Sequence, residues 1–124
     1  RLKTLIDAGM TPVLAPLTHN GAGTMLNTNA DTIASETARA LAALYDVTLV
    51  YCFEKPGVLA NPDDDSSVIP TITRNDFTRL TADGTISGGM LPKIENALAA
   101  VEAGVKKVVI TKADSIGNGG TVIQ

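Results

Sequence analysis

The chain has 124 residues, of which 44% are hydrophobic and 19% charged. That is room for one domain burying roughly two-thirds of the surface of its unfolded chain. A net charge of −3 and 3% aromatic residues offer neither a basic face for a phosphate backbone nor a base-stacking platform, so nucleic acid is excluded as the main partner. No apolar run approaches the ~20 residues of a bilayer span, so no membrane partner is expected either.

At the start, Leu2, Leu5 and Ile6 make a short helical stripe that Gly9 stops. Thr11 to Leu17 (TPVLAPL) reads as a buried strand with prolines at its margins. His19-Asn20-Gly21 with Gly23 is a hairpin turn, and Thr24 to Asn27 is its returning arm. From Asp31 to Leu44 the period is helical, with Ile33, Thr37, Ala40, Leu41 and Leu44 on one face. Val47 to Phe53 (VTLVYCF) is the continuous apolar run of a strand covered on both sides. A loop follows with Pro56, Gly57, Pro62 and the acidic run Asp63-Asp64-Asp65, then a weak helix around Asn75 to Leu80.

Gly88-Gly89 leads into a second strong helix, with stripe Leu91, Ile94, Leu98 and Val101 and stop Gly104. Lys106 to Thr111 is another buried strand, and Gly119 to Ile123 a turn and short strand. Strands alternating with helices of about a dozen residues define an α/β fold with a mostly parallel sheet and helices on both faces. Ligands of such sheets gather at the carboxyl ends of the strands.

Cys52 and His19 are each the sole residue of their kind, which rules out a disulfide framework and a thiolate metal cluster. A Cys–His nucleophilic pair lacks a third orienting group. Three consecutive carboxylates cannot all face one ion on an extended chain, so Asp63 to Asp65 read as a solvated loop and no metal site is assigned. A reducing, cytoplasmic setting agrees with the single cysteine, and no signal sequence is visible. The helical pattern already running at Arg1 reads as the middle of something longer.

Neither a phosphate-loop motif nor a dinucleotide fingerprint is present. Thr85 to Lys93 (TISGGMLPK) is the most informative segment. Its two glycines let a backbone approach a ligand, and the helix start that follows offers unpaired N–H groups. Pro92 suits a first turn. Lys93 is out of place there, because the helix dipole disfavours a cation. It is either a solvated lysine pointing away or the partner of anionic oxygens. Leu26 to Asp31 (LNTNAD) holds more amide and carboxylate groups than one helix cap requires.

Leu26 to Ala34 (LNTNADTIA), Gly57-Val58-Leu59, Ile86 to Lys93 (ISGGMLPK) and Gly120 to Ile123 (GTVI) follow in an order and spacing that resemble the amino-acid kinase family. Within it they resemble the branch that phosphorylates N-acylated glutamates. The resemblance covers the whole chain. It implies a three-layer α/β/α fold of the carbamate kinase type, truncated at its amino terminus. Residues 1–44 would be the last part of the amino-acid lobe and residues 45–124 the nucleotide lobe.

The activity it implies is transfer of the ATP γ-phosphoryl group to the side-chain carboxylate of N-acetyl- or N-succinyl-L-glutamate, a step of arginine biosynthesis. Lys93 matches the lysine that neutralises the moving phosphoryl group, Asp31 the carboxylate that holds catalytic lysines, and Asn27 a substrate-binding residue. Glu54, Lys55, Pro56, Gly57, Val58 and Leu59, with Thr85, Ile86 and Ser87, match the ATP site, where Mg²⁺ rides on the phosphates. The whole protein would be a homodimer or higher homo-oligomer.

Glu54 stands where many members carry Asp, and the tail after Ile110 is short. The lysine- and glycine-rich segment that opens family members is absent from these residues, so the piece alone is expected not to turn over. Two alternatives stand beside this reading: a non-catalytic nucleotide-binding or regulatory module, and a sister kinase of carbamate, aspartate or nucleoside monophosphate. Retention of both Asp31 and Lys93 argues against the first, and LNTNAD against the second.

Overall fold

A computed structural model describes residues 1–124. The chain runs α1 (Leu2–Asp7), β1 (Leu17–His19), β2 (Met25–Asn27), α2 (Ala30–Ala42), β3 (Thr48–Phe53), β4 (Thr71–Ile72), α3 (Arg74–Ala82), α4 (Met90–Glu102), β5 (Lys107–Lys112), a 3₁₀ turn and β6 (Thr121–Ile123). The sheet has the order β3-β5-β6-β4. Its β3–β5 and β4–β6 pairs are parallel and its central β5–β6 pair antiparallel. The α/β class with a mostly parallel sheet is therefore as the sequence predicts.

One face of the sheet carries the core. Leu49, Tyr51, Val108, Ile110 and Ile123 point to it and pack against Ala38 of α2, Leu80 of α3, and Ile94, Ala97, Leu98 and Ala100 of α4. The alternation of a strand sends Val50, Val109 and Val122 to the opposite face. These three lie in register across β3, β5 and β6 and stay half-exposed, while Cys52 is exposed. Of the two helical layers expected, these residues supply one. Accordingly β3 is covered on a single side, not on both as its apolar run predicts.

The first thirty residues add nothing to the core. Helix α1 has no buried residue; it is tied by the Lys3–Asp7 pair and by the Tyr45 hydroxyl, which donates to Asp7 Oδ1 at 2.6 Å. The predicted hairpin forms: Leu17 pairs with Asn27, and Asn20 Oδ1 accepts from the N–H groups of Ala22 and Thr24 to close the turn. The buried strand predicted over Thr11–Leu17 does not. Only Leu17 enters a strand, and Val13 is 93% exposed. Pro12 and Pro16 lack N–H groups, and the sheet offers this segment no partner.

Helix α2 buries Ser35 and Ala38, not the predicted stripe. Ile33, Thr37 and Leu41 line an open apolar groove, and Ala40 and Leu44 are exposed. Small residues on the buried side let α2 lie close to α4, and closeness rather than bulk decides which side is covered. The α4 stripe is as predicted, with Ile94 and Leu98 fully buried.

Helix α3 opens with a capping box. Thr73 Oγ1 accepts from the Asp76 N–H at 3.2 Å, and Asp76 Oδ2 accepts from the Thr73 N–H at 3.1 Å. The Thr73 N–H, then the Arg79 guanidinium and the Thr73 hydroxyl, hold the Asp76 carboxyl below its ordinary range. A carboxylate depressed in the folded state contributes stability that is fully present above its unfolded pKa, about 4. That contribution is lost as pH falls through the lower folded value. Asp76→Asn is expected to be less stable at neutral pH and to lose less on acidification below about pH 4; thermal melts across that range check it.

Candidate active site at the carboxyl edge of the sheet

Two helices begin at one corner, above the end of β3. Asn29 caps α2, its Oδ1 accepting from the N–H groups of Asp31 at 2.8 Å and Thr32 at 3.4 Å. One polar residue of LNTNAD is thus spent on the helix start. Asp31 follows in the first turn, where the dipole favours a carboxylate. Helix α4 starts at Gly89 with no capping side chain and no acidic residue in its first turn. Gly88 before it takes φ +58°, and a Cβ at either glycine would meet nothing within 4 Å. The two glycines thus leave the approach to this helix start open, while the Leu91 N–H turns back to the Gly88 carbonyl at 3.2 Å.

Lys93 lies one turn into α4. Its Nζ donates to Asp31 Oδ2 at 2.7 Å and stands 5.0 Å from the centroid of the Tyr51 ring. The side chain is only 17% exposed and that of Asp31 36%, so the solvated alternative for Lys93 is not what the fold adopts. The α4 dipole that opposes a cation here is met by a full negative charge from α2 and by the face of a ring. Tyr51 itself is buried in β3, its hydroxyl donating to the main-chain oxygen of Asp31 at 3.2 Å. Burial, and then the Asp31 charge, push the phenol above its ordinary pKa, against a smaller opposing effect of the Ser35 hydroxyl.

Beside this corner is a cleft of about 230 Å³ between the loop leaving β3 and the segment entering α4. It is lined by Glu54, Lys55, Gly57, Val58, Leu59, Thr85, Ile86 and Ser87, with Phe53, Pro62 and Met90. Of the residues the sequence indicates for a nucleotide site, only Pro56 is outside the lining. Two stretches nearly thirty residues apart meet here because one leaves a strand and the other enters the helix packed on it. Asn27 is not brought in: it ends β2 exposed, and no hydrogen bond joins it to Lys93 or Asp31. The acidic run lies exposed, with Asp65 3.6 Å from Lys55.

A residue that the sequence reading places only in a terminal motif anchors the cleft floor. Thr121 Oγ1 accepts from the Val58 N–H at 2.9 Å and donates to Ile69 O at 2.6 Å, pinning both arms of the β3–β4 loop to β6. A Cβ on Gly57 would come within 2.9 Å of that oxygen and of Val68 Cγ1, so glycine is required for this approach. Thr121 is marked in the sequence only by the GTVI motif, with no role attached, and Tyr51 has no signal, since it sits in an apolar run that reads as core.

The larger groove, about 340 Å³ along α2 and the outer edge of β3, is lined by Leu14, Ile33, Leu41, Leu49 and their small neighbours and carries no charged side chain. Its polar side chains are the hydroxyls of Thr37 and Thr48. The charged side chains gather instead at the smaller cleft and the Lys93–Asp31 corner.

The fold agrees with comparison to known proteins. The family model of the amino acid kinase family matches residues 1–112, and the chain belongs to that family. It is 62% identical over 124 residues to the acetylglutamate kinase of Phocaeicola vulgatus and 63% identical to that of Bacteroides thetaiotaomicron. Each alignment takes in 99% of this chain and 48% of the relative, so the chain spans about half the length of the curated relatives it matches. Among solved structures, that of smu.665 from Streptococcus mutans UA159 superposes with a TM-score of 0.79 at 34% identity, over 99% of this chain and 46% of that one.

Thr121→Val keeps shape but leaves the buried Val58 N–H without an acceptor. It is expected to cost about 1–3 kcal/mol of stability, read by urea unfolding, while Thr121→Ser, which keeps the oxygen, stays near the parent.

Proposed function

We propose that the chain is part of an ATP-dependent phosphotransferase that moves the γ-phosphoryl group to the side-chain carboxylate of an N-acyl-L-glutamate in arginine biosynthesis. Acetylglutamate is the first substrate to assay, after the name its relatives carry, and succinylglutamate the second. The observation that carries the reading is the Lys93–Asp31 pair at the uncapped start of α4, one turn from the cleft. The family relationship is its support.

Phosphoryl transfer of this kind needs little covalent work from a protein. Two anions must be brought into line and their charge neutralised. The cleft, walled by Val58, Leu59 and Ile86 with Glu54, Lys55 and Ser87 at its polar rim, suits an adenosine. The N–H groups at the start of α4 suit phosphate oxygens. Lys93 brings the positive charge to the group in transit, and Asp31 keeps its ammonium aimed. Asn27 takes the amino-acid substrate. Mg²⁺ enters on the nucleotide phosphates. In this reading residues 1–44 belong to the amino-acid lobe and 45–124 to the nucleotide lobe. The whole protein is a cytoplasmic homo-oligomer, and these 124 residues alone bind nucleotide without turning over.

Calorimetric titration of MgADP tests the cleft. The parent chain should bind, and Lys93→Ala should bind about tenfold more weakly or worse, the loss of one charge-assisted contact. A folded parent that gives no heat with MgADP overturns the nucleotide assignment. Trapping of an acyl phosphate by the whole protein, with N-acetyl- and N-succinylglutamate in parallel, then names the acyl group.

A further inference from the structure

Resting on the kinase reading, we infer that the ring of Tyr51 is a positioning residue for Lys93, holding the ammonium at the place where the phosphoryl group passes. Three contacts meet at this ring. It is 4% exposed and fixed in the core of β3, its face lies 5.0 Å from Lys93 Nζ, and its hydroxyl reaches the main chain of Asp31, the other member of the pair. A lysine has four rotatable bonds, and one ion pair to a partly exposed carboxylate fixes only the end of the chain. The ring face supplies a second attractive surface on the side away from solvent. An ammonium held from two directions is ordered before substrate arrives, so less order has to be created in each turnover.

The ring, not the hydroxyl, carries this role. The Asp31 carbonyl lies in the first turn of α2, where the N–H four residues on serves the same oxygen, so the hydroxyl bond is a second one to an acceptor already satisfied. An aliphatic residue at position 51 keeps the core apolar while removing the surface that attracts the cation, and the stability its smaller volume costs is read by melting temperature, apart from kcat. The role is therefore separable from packing.

The test compares Tyr51→Phe with Tyr51→Leu in two measurements. In the 124-residue chain, the ε-methylene protons of Lys93 should resonate upfield of the other lysines through the ring current. Tyr51→Phe should keep that displacement and Tyr51→Leu abolish it. In the whole gene product, Tyr51→Phe should retain kcat within about twofold, and Tyr51→Leu should lower it about tenfold, the size of a partly desolvated cation–ring contact. The KM for MgATP should stay within about threefold in both, since the cleft residues are untouched.

A Tyr51→Leu protein with parental kcat overturns the inference, as does one that changes only KM or only melting temperature. A Tyr51→Phe protein as impaired as Tyr51→Leu assigns the effect to the hydroxyl and overturns it equally. Should Tyr51→Leu fail to fold, Tyr51→Met is scored by the same criteria. If the parent itself phosphorylates no N-acylglutamate, the kinase reading fails, while the ε-methylene comparison still decides whether the ring holds Lys93.

Discussion

The ion pair between Lys93 and Asp31 is the contact on which the architecture of the site depends. It joins the first turns of α2 and α4, two helices whose positive ends point into the same corner. A lysine in that position is unfavourable on its own, and a carboxylate there is favourable on its own. Placed together, the carboxylate offsets the penalty of the lysine and holds its cation in the corner between the two helices. The close packing of α2 on α4, made possible by Ala38, Ala97 and Ala100, brings the two side chains within 2.7 Å. The composition of that helix interface is thereby a condition of the chemistry and not only of stability.

The neighbouring cleft is built by the opposite strategy, from main chain rather than side-chain charge. Its loop has no regular secondary structure over residues 54–70 apart from the Leu59–Val68 bridge. Its own turns close it through bonds such as Ala60 N–H to Ser67 O and Ile69 N–H to Val58 O, and the hydroxyl of Thr121, which satisfies one N–H and one carbonyl of that loop, ties it to β6 across a glycine that lets the two surfaces touch. Gly120 is fitted as closely, its would-be Cβ 2.7 Å from the Thr111 Cβ. Thus the terminal GTVI motif is a clasp for a loop some sixty residues earlier in the chain.

How much of this could be read from the sequence follows from which forces are local. The α4 stripe, the Asn-Gly hairpin and the glycine stops were legible because spacing and turn chemistry are properties of adjacent residues. The segment Thr11–Leu17 was not, since its apolar content resembles a strand while the decision rests on whether a partner strand exists. The covered side of α2 was misjudged for a related reason: large side chains marked one face, but the neighbour it met could approach only the small one. At the site, Lys93, Asp31 and the two arms of the cleft were legible through motifs. Their 2.7 Å meeting, the Tyr51 ring and the Thr121 clasp were not, because each joins residues far apart in the chain and only the tertiary fold sets their distance.

The strand order has a consequence for how the molecule is made. β6 follows both β4 and β5 in sequence yet sits between them, and β4 pairs with no other strand. While a ribosome is still extending the chain, β4 therefore has no strand to pair with, and the loop that walls the cleft lacks the Thr121 hydroxyl that ties it to the sheet. Their closure waits for residues 121–123 to emerge. Until then β5 has only β3 beside it in this sheet, so the wall of the cleft is completed later than the β3–β5 pair.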